Sequence, residues 1–302
     1  MPESITGSRD FMPYLFCYFT GNEPQEESVH FAVSANGIHF NALNNNEKII
    51  TQTLGKRCCR DPFIFRDEEN RFHILATDMC CHDGWSSNNS MVFWDSDDLI
   101  HWENERIIDF TQFPETKNAD RVWAPQAIFD KYKNEYMLYW SNHNKDDDLD
   151  TIIWYAYTKD FINLTTPPAV LFEPKCKLSA IDADIIEAKG KYYLYEADGG
   201  KDGICYAVSD RPDGPYFEPE NNKVSVADTA LEGNCIYPLE NTDKYIMIAD
   251  QVKKGGYFAQ ITDDLVNFKR LDDFKINHIK PRHGSMLIIT EEEYNRLINA
   301  FK

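Results

Sequence analysis

The chain has 302 residues, with 50 acidic against 31 basic side chains and a formal net charge of −19. That surplus excludes nucleic acid and anionic membrane surfaces as partners. The length suffices for a large core, the 14% aromatic content suits packed sheets, and no Pro/Gly/Ser-rich linker interrupts the chain, so one domain over 1–302 is expected.

Residues 1–13 are polar and contain no apolar core of signal-peptide length, which gives an expectation of cytoplasmic placement. The run 14–20 is an apolar strand, followed by a second at 29–33 and a closing turn at 34–40. Next comes a hairpin: Cys59-Arg60-Asp61-Pro62-Phe63-Ile64-Phe65, a polar turn, and a strand over 71–78 that ends in Asp78. A carboxylate thus stands at each of its two upper ends. Variants of this hairpin recur at 127–142, 184–198 and 235–250. Each is followed by a further apolar run and a turn of the kind Ser96-Asp97-Asp98-Leu99-Ile100-His101-Trp102. In those turns His39, His101, Asn163 and Asn267 hold one position and read as structural residues. Near the end, 282–289 is an inner strand without a partner. The tail 290–301 is a helix with a Thr290/Glu293 capping box and an apolar face of Tyr294, Leu297, Ile298 and Phe301.

Repeats of roughly 50 to 65 residues, each a small antiparallel sheet, predict a β-propeller. Pairing the orphan strands at the two ends makes the fifth blade and removes the exposed edges. The fold class is therefore all-β: a five-bladed β-propeller closed by its N- and C-terminal strands, with a short C-terminal helix.

In such a ring the residues before each inner strand gather at one mouth. Alignment of the repeats brings Asp61, the Pro125-Gln126 pair, Asp182, the Glu232-Gly233 pair and His283 together within about one residue. The loops after Asp78, Asn142, Asp198 and Asp250 form walls, and Trp85 and Trp123 offer flat platforms for a sugar ring. Three carboxylates in one pocket suit glycosidic hydrolysis, in which one acid must stay protonated while another stays ionised. Tyr192, Tyr193 and Tyr195 read as packing between blades.

The eight cysteines include two adjacent pairs, Cys58-Cys59 and Cys80-Cys81, a pattern that fits neither a disulfide framework nor a zinc motif. Reduced thiols are expected, and Cys80-Cys81-His82 has no second ligand cluster at usable spacing, so no metal centre is expected. The acidic loop 145–150 lacks the glycine and terminal Glu of a calcium-binding loop.

Arg60-Asp61-Pro62, Val122-Trp123-Ala124-Pro125-Gln126, Ala180-Ile181-Asp182-Ala183 and Leu231-Glu232-Gly233, each heading a repeat in order, resemble glycoside hydrolase family 43. That family consists of five-bladed propellers acting on arabinosides, xylosides and some galactosides. The likeness extends from Tyr14 to Arg282-His283-Gly284. It implies inverting hydrolysis of a carbohydrate with Asp61 as general base, Glu232 as general acid and Asp182 tuning and orienting the acid. Trp85, Trp123, Gln126, Asn142, Arg282 and His283 are the implied substrate-binding residues. No cofactor is implied for the chemistry, and any ion near His283 would be structural. Gln126 replaces the acid usual after Trp-Ala-Pro, and Asn234 stands where proline often follows Glu-Gly. The expected reaction is release of a terminal α-L-arabinofuranosyl unit. The alternatives are a β-xylosidase, a β-galactosidase or a catalytically silent carbohydrate-binding propeller.

Overall fold

The structure is a computed structural model, and it describes residues 11–145, 150–175, 179–197, 203–277 and 279–302. Asp198, Cys176 and most of the acidic loop lie outside these. The chain opens with β1 (Tyr14–Tyr18), β2 (His30–Ser34) and β3 (His39–Ala42). The first complete blade follows with β4 (Cys59–Arg66), β5 (Phe72–Asp78), β6 (Ser90–Ser96) and β7 (Glu103–Asp109). The second holds β8 (Ala119–Asp130), β9 (Glu135–Asn144), β10 (Ile152–Thr158) and β11 (Ala169–Phe172). The third has β12 (Ile181–Ala188), β13 (Lys191–Ala197) and β14 (Ile204–Ser209). The fourth has β15 (Leu231–Leu239), β16 (Lys244–Gln251), β17 (Tyr257–Thr262) and β18 (Lys269–Arg270). The chain ends with β19 (Lys275–Asn277), β20 (Gly284–Ile288) and α1 (Glu291–Ala300).

The five sheets form a five-bladed propeller, and the fifth blade is the expected composite: β1 pairs with β2 on one side and antiparallel with β20 on the other, Tyr14 opposite Ile288 and Tyr18 opposite Gly284. Closure demands glycine at 284, because a Cβ there would lie 2.1 Å from the Cys17 carbonyl oxygen. One feature was not anticipated: β19 adds parallel to β3 at the outer edge of this blade.

Middle strands read as unbroken apolar runs because neither of their faces meets water. Alternate residues of β9 serve different cores: Tyr136, Leu138 and Trp140 pack toward the first blade, Met137 and Tyr139 toward the third. Likewise Leu15 and Cys17 of β1 face the first blade, while Tyr14, Phe16 and Tyr18 face the fourth. Among the described residues there are five apolar clusters, one between each pair of neighbouring blades, including the pair that joins the chain ends. Outer strands such as β18 are short and exposed, which limits edge-to-edge pairing.

The recurrent closing turn has a defined chemistry. Ser96 Oγ accepts the Asp98 and Leu99 N–H groups, Asp98 Oδ1 accepts those of Ile100 and His101, and Leu99 adopts φ +68. Thr158/Asp160/Phe161 and Thr262/Asp264/Leu265 repeat it, with left-handed Phe161 and Leu265. His101, Asn163 and Asn267 bind the turn carboxylate, as their structural reading requires.

Helix α1 carries the capping box at Thr290 and Glu293, and its Leu297 is fully buried against the core between the fifth and first blades. Glu293 also receives both guanidinium nitrogens of Arg66 from β4, at 2.9 and 2.8 Å. The helix therefore fastens the blade formed by the two chain ends to its neighbour.

Candidate active site

Four inner strands carry the same irregularity at their upper end. In β4, β8, β12 and β15 two residues oppose one on the partner strand, a bulge of one extra residue, and the first of the two is left-handed: Asp61 at φ +51, Ala124 at +46, Asp182 at +55 and Gly233 at +60. Such a bulge turns the strand end toward the axis, and left-handed backbone costs about 1–2 kcal/mol for each non-glycine residue. The structural slot in the second repeat is thus Ala124, one residue before the Pro125-Gln126 pair.

The slots are tied together around the ring. Ala124 N–H donates to Thr77 Oγ1 at 2.8 Å, and Asp182 N–H donates to Ser141 Oγ at 3.0 Å. Thr77 and Ser141 occupy matching places, opposite Arg60 and Trp123. In the third blade that place is Ala197, which has no hydroxyl, and Gly233 N–H donates instead to Asp182 Oδ2 at 2.8 Å. Asp182 therefore holds the backbone beside Glu232. Gly233 is required here, since a Cβ at its φ would lie 2.8 Å from the His283 Cβ.

Asp61, Asp182, Glu232, Arg282 and His283 line one cleft of about 80 Å³, whose walls include Phe19, Arg60, Met79, Trp85, Trp123 and Ile181. His283 Nδ1 lies 3.4 Å from Asp61 Oδ1 and 3.8 Å from Asp182 Oδ1. Arg282 bonds Asp250 through Nε and reaches Glu232 Oε1 at 3.3 Å. Trp85 and Trp123 meet edge to face at 6.4 Å, with the Arg60 guanidinium 5.1 Å over the Trp85 ring.

Environment separates the carboxyl groups. Burial pushes Asp61 upward, but the His283 hydrogen bond and charge, then Arg60 and the Thr77 hydroxyl, bring it below its ordinary value. Glu232 rises to about 7, through burial first and then the charges of Asp182 and Asp250, with Arg282 and His283 opposing. Asp182 is also raised, by burial and by Asp61, against His283. Burial disfavours the His283 imidazolium, yet Asp182, Asp61 and Glu232 carry it up to about 9. The cleft thus holds an ionised aspartate and a glutamic acid poised to keep its proton near neutrality.

Two expected binding residues do not reach the cleft. Gln126 is buried, and its Oε1 accepts the Tyr139 hydroxyl, which in turn receives Ile185 N–H. It sits two residues past its bulge, the place Asp184 takes in the third blade, and so points into the layer beneath the pocket. Asn142 is buried and accepts Trp140 Nε1 at 3.1 Å. The loop after Asp78 does line the cleft, through Met79 and Trp85, while Asp78 itself binds Gln52, Lys56 N–H and Ser90. Arg60, Phe19 and Ile181 are cleft residues beyond those expected from sequence; Arg60 and Ile181, adjacent to Asp61 and Asp182, carry a signal that could have found them.

Three potential metal-ligating side chains meet that sequence spacing does not connect. Cys80 does have companions: Glu27 and Cys58 bring ligand atoms within 4.8 Å of its thiol and of each other. Among the described residues this is the group that could surround an ion, and His283 does not belong to it. No disulfide joins any of the described cysteines.

A propeller whose axial cleft joins a proton-holding glutamic acid, an ionised aspartate and two indole rings has the makings of a carbohydrate-cleaving enzyme. A family model related to glycoside hydrolase family 43, described as "Probable glycosyl hydrolase domain", matches residues 10–295, and the chain belongs to that family. An α-L-arabinofuranosidase of Bifidobacterium longum subsp. longum is 27% identical over 178 residues, which cover 52% of this chain and 16% of that protein. Similar solved structures include a xylan β-1,4-xylosidase from Bacillus halodurans, with TM-score 0.64 and 14% identity over 90% of this chain and 55% of that one. An endo-1,4-β-xylanase from Bacteroides thetaiotaomicron gives TM-score 0.62 and 16% identity over 91% of this chain and 98% of that one. At these identities the two structures share the fold with this chain. The chain spans a small part of the curated relative and about half of the xylosidase.

Proposed function

We propose that this glycoside hydrolase releases a terminal α-L-arabinofuranosyl unit with inversion at the anomeric carbon. Asp61 takes a proton from a water that attacks the anomeric carbon, and Glu232 gives its proton to the glycosidic oxygen as the carbon–oxygen bond breaks. The leaving sugar departs as a neutral alcohol. Asp182 holds the Gly233 N–H beside the acid and, with Asp250, supplies the negative charge that keeps Glu232 protonated. The carrying observation is the opposite displacement of two carboxyl groups in one cleft, Asp61 downward and Glu232 up to about 7. The cleft volume, about 80 Å³, favours one terminal sugar over an internal stretch of polymer. The arabinofuranosidase relative supports the choice of sugar.

A panel of aryl α-L-arabinofuranosides, β-xylosides and β-galactosides, assayed beside Glu232→Gln, tests this reading. Turnover of the arabinoside that falls by about 10²–10⁴ in the variant is the expected result. Preference for another sugar would replace the substrate assignment, and unchanged turnover in Glu232→Gln would remove the acid. The anomer first formed, read by NMR, decides inversion.

A further inference from the structure

We propose that Glu27, Cys58 and Cys80 form a binding site for a thiophilic divalent cation of the zinc type, separate from the catalytic cleft. The three ligands come from three segments: the β1–β2 connection, the residue before β4, and the loop after β5. Their ligand atoms lie within 4.8 Å of one another. Zinc–sulfur and zinc–oxygen bonds of about 2.3 and 2.1 Å in a tetrahedral site put ligand atoms roughly 3.5–3.8 Å apart. Side-chain rotation closing the group by about 1 Å would meet that geometry.

The backbone already holds the ligands in place. The β4–β5 ladder pairs Cys59 with Asp78 and continues through Met79 N–H to the Cys58 carbonyl at 3.1 Å, which brings Cys58 beside Cys80. Glu27 is fixed at both ends: its carbonyl accepts Cys59 N–H at 2.9 Å, and its Oε1 accepts Cys81 N–H and Arg60 Nη1, each at 2.9 Å. Outer hydrogen bonds of this kind orient metal-ligating carboxylates.

Charge also balances. Two thiolates and one carboxylate around a dication leave a single negative charge, and the buried Arg60 guanidinium on Glu27 cancels it. Cation binding displaces the proton of each thiol to solvent and forms two sulfur–metal bonds. Cys80 is only partly buried, which leaves an entry path and a fourth position for water. Arg60 lines the cleft and lies 4.5 Å over Phe19, so an ion on Glu27 would stiffen that wall.

The test is titration of the reduced, full chain with Cd²⁺ and with Zn²⁺. One Cd²⁺ per chain with an ultraviolet thiolate-to-cadmium band is expected, lost in the Cys58→Ser/Cys80→Ser variant and retained in Cys17→Ser. Glu27→Gln should weaken Zn²⁺ binding about tenfold or more. Because the double variant could misfold, alkylation of the wild-type chain followed by mass spectrometry gives a second reading. Stoichiometric Zn²⁺ should slow modification of Cys80 and leave the partly buried Cys205 unaffected. A band that survives the double variant, equal protection of both cysteines, or no stoichiometric binding would overturn the site. Recovery of a Cys58–Cys80 disulfide from metal-treated reduced protein would also overturn it, assigning the pair to redox chemistry.

Discussion

The Thr77 hydroxyl donates to Asp61 Oδ2 at 2.8 Å, and Thr77 Oγ1 in turn accepts Ala124 N–H at 2.8 Å from the next blade. One side chain thus stabilises the ionised form of the proposed base and fixes the neighbouring slot. Thr77→Val removes both bonds, leaves a buried N–H unpaired at a cost of about 1–3 kcal/mol, and raises the Asp61 pKa. The acidic limb of the kcat/KM profile should move to higher pH and the melting temperature should fall. Thr77→Ser should restore both, and an acidic limb unmoved in Thr77→Val would separate Thr77 from the base.

Arg282 is the principal positive charge opposing the rise of Glu232. Its loss also frees the Asp250 carboxylate, and both changes favour the protonated acid. In Arg282→Gln the alkaline limb, expected near pH 7 in the parent chain, should therefore shift upward, while Arg282→Lys should hold it closer to the parent value. A downward shift in Arg282→Gln would contradict this electrostatic arrangement.

The charged pocket predicts how stability varies with pH. His283 is raised from 6.5 to about 9, so its contribution is complete below pH 6.5 and is lost as pH climbs through 9. The shift corresponds to about 3 kcal/mol. Glu232, raised from 4.5 to about 7, acts in the same direction, since the folded chain holds a proton between those values that the unfolded chain has released. Asp61 acts oppositely: its depressed pKa gives stability that disappears as pH falls through the folded value. Thermal unfolding followed from pH 4 to 10 should show the midpoint falling on the alkaline side. That fall should be shallower in His283→Gln; the same slope in both proteins would count against an imidazolium at 283.

Ring closure can be tested at the seam between the two chain ends. Gly284→Ala forces a Cβ against the Cys17 carbonyl, a backbone atom that cannot swing aside, and should cost more than about 3 kcal/mol in a urea or thermal unfolding series. Gly190→Ala is the control: it lies in a hairpin turn with no atom within 4 Å of the added Cβ and carries only the left-handed penalty, about 1 kcal/mol. Equal losses would argue against the seam as a critical contact.

The ring and the three carboxylates were legible in the chain because both rest on repetition. Asp61, Asp182 and Glu232 stand at matching strand ends, and hydrophobic alternation locates those ends. Gln126 and Asn142 were misplaced for a different reason. A bulge changes the phase of the side chains after it, so a residue two places beyond Ala124 faces the channel layer and not the cleft, and only the register shows this. Asn142 lies on a middle strand whose faces are both covered. The Glu27–Cys58–Cys80 group comes from three separate segments, and no spacing rule connects residues that meet only when a hairpin edge closes on a loop. Strand β19 was missed because three residues carry too little pattern to mark a parallel edge.

The bulged slot is filled by Asp, Ala, Asp and Gly in the four complete blades, on one backbone shape. Asp61, Ala124 and Asp182 show that this backbone shape accepts different side chains, while at 233 the neighbouring His283 side chain holds the seat to glycine. Chemistry on such a scaffold differs one seat at a time: Ala124, buried in the second blade, holds with a methyl group the seat that Asp61 and Asp182 hold with carboxylates in the blades on either side.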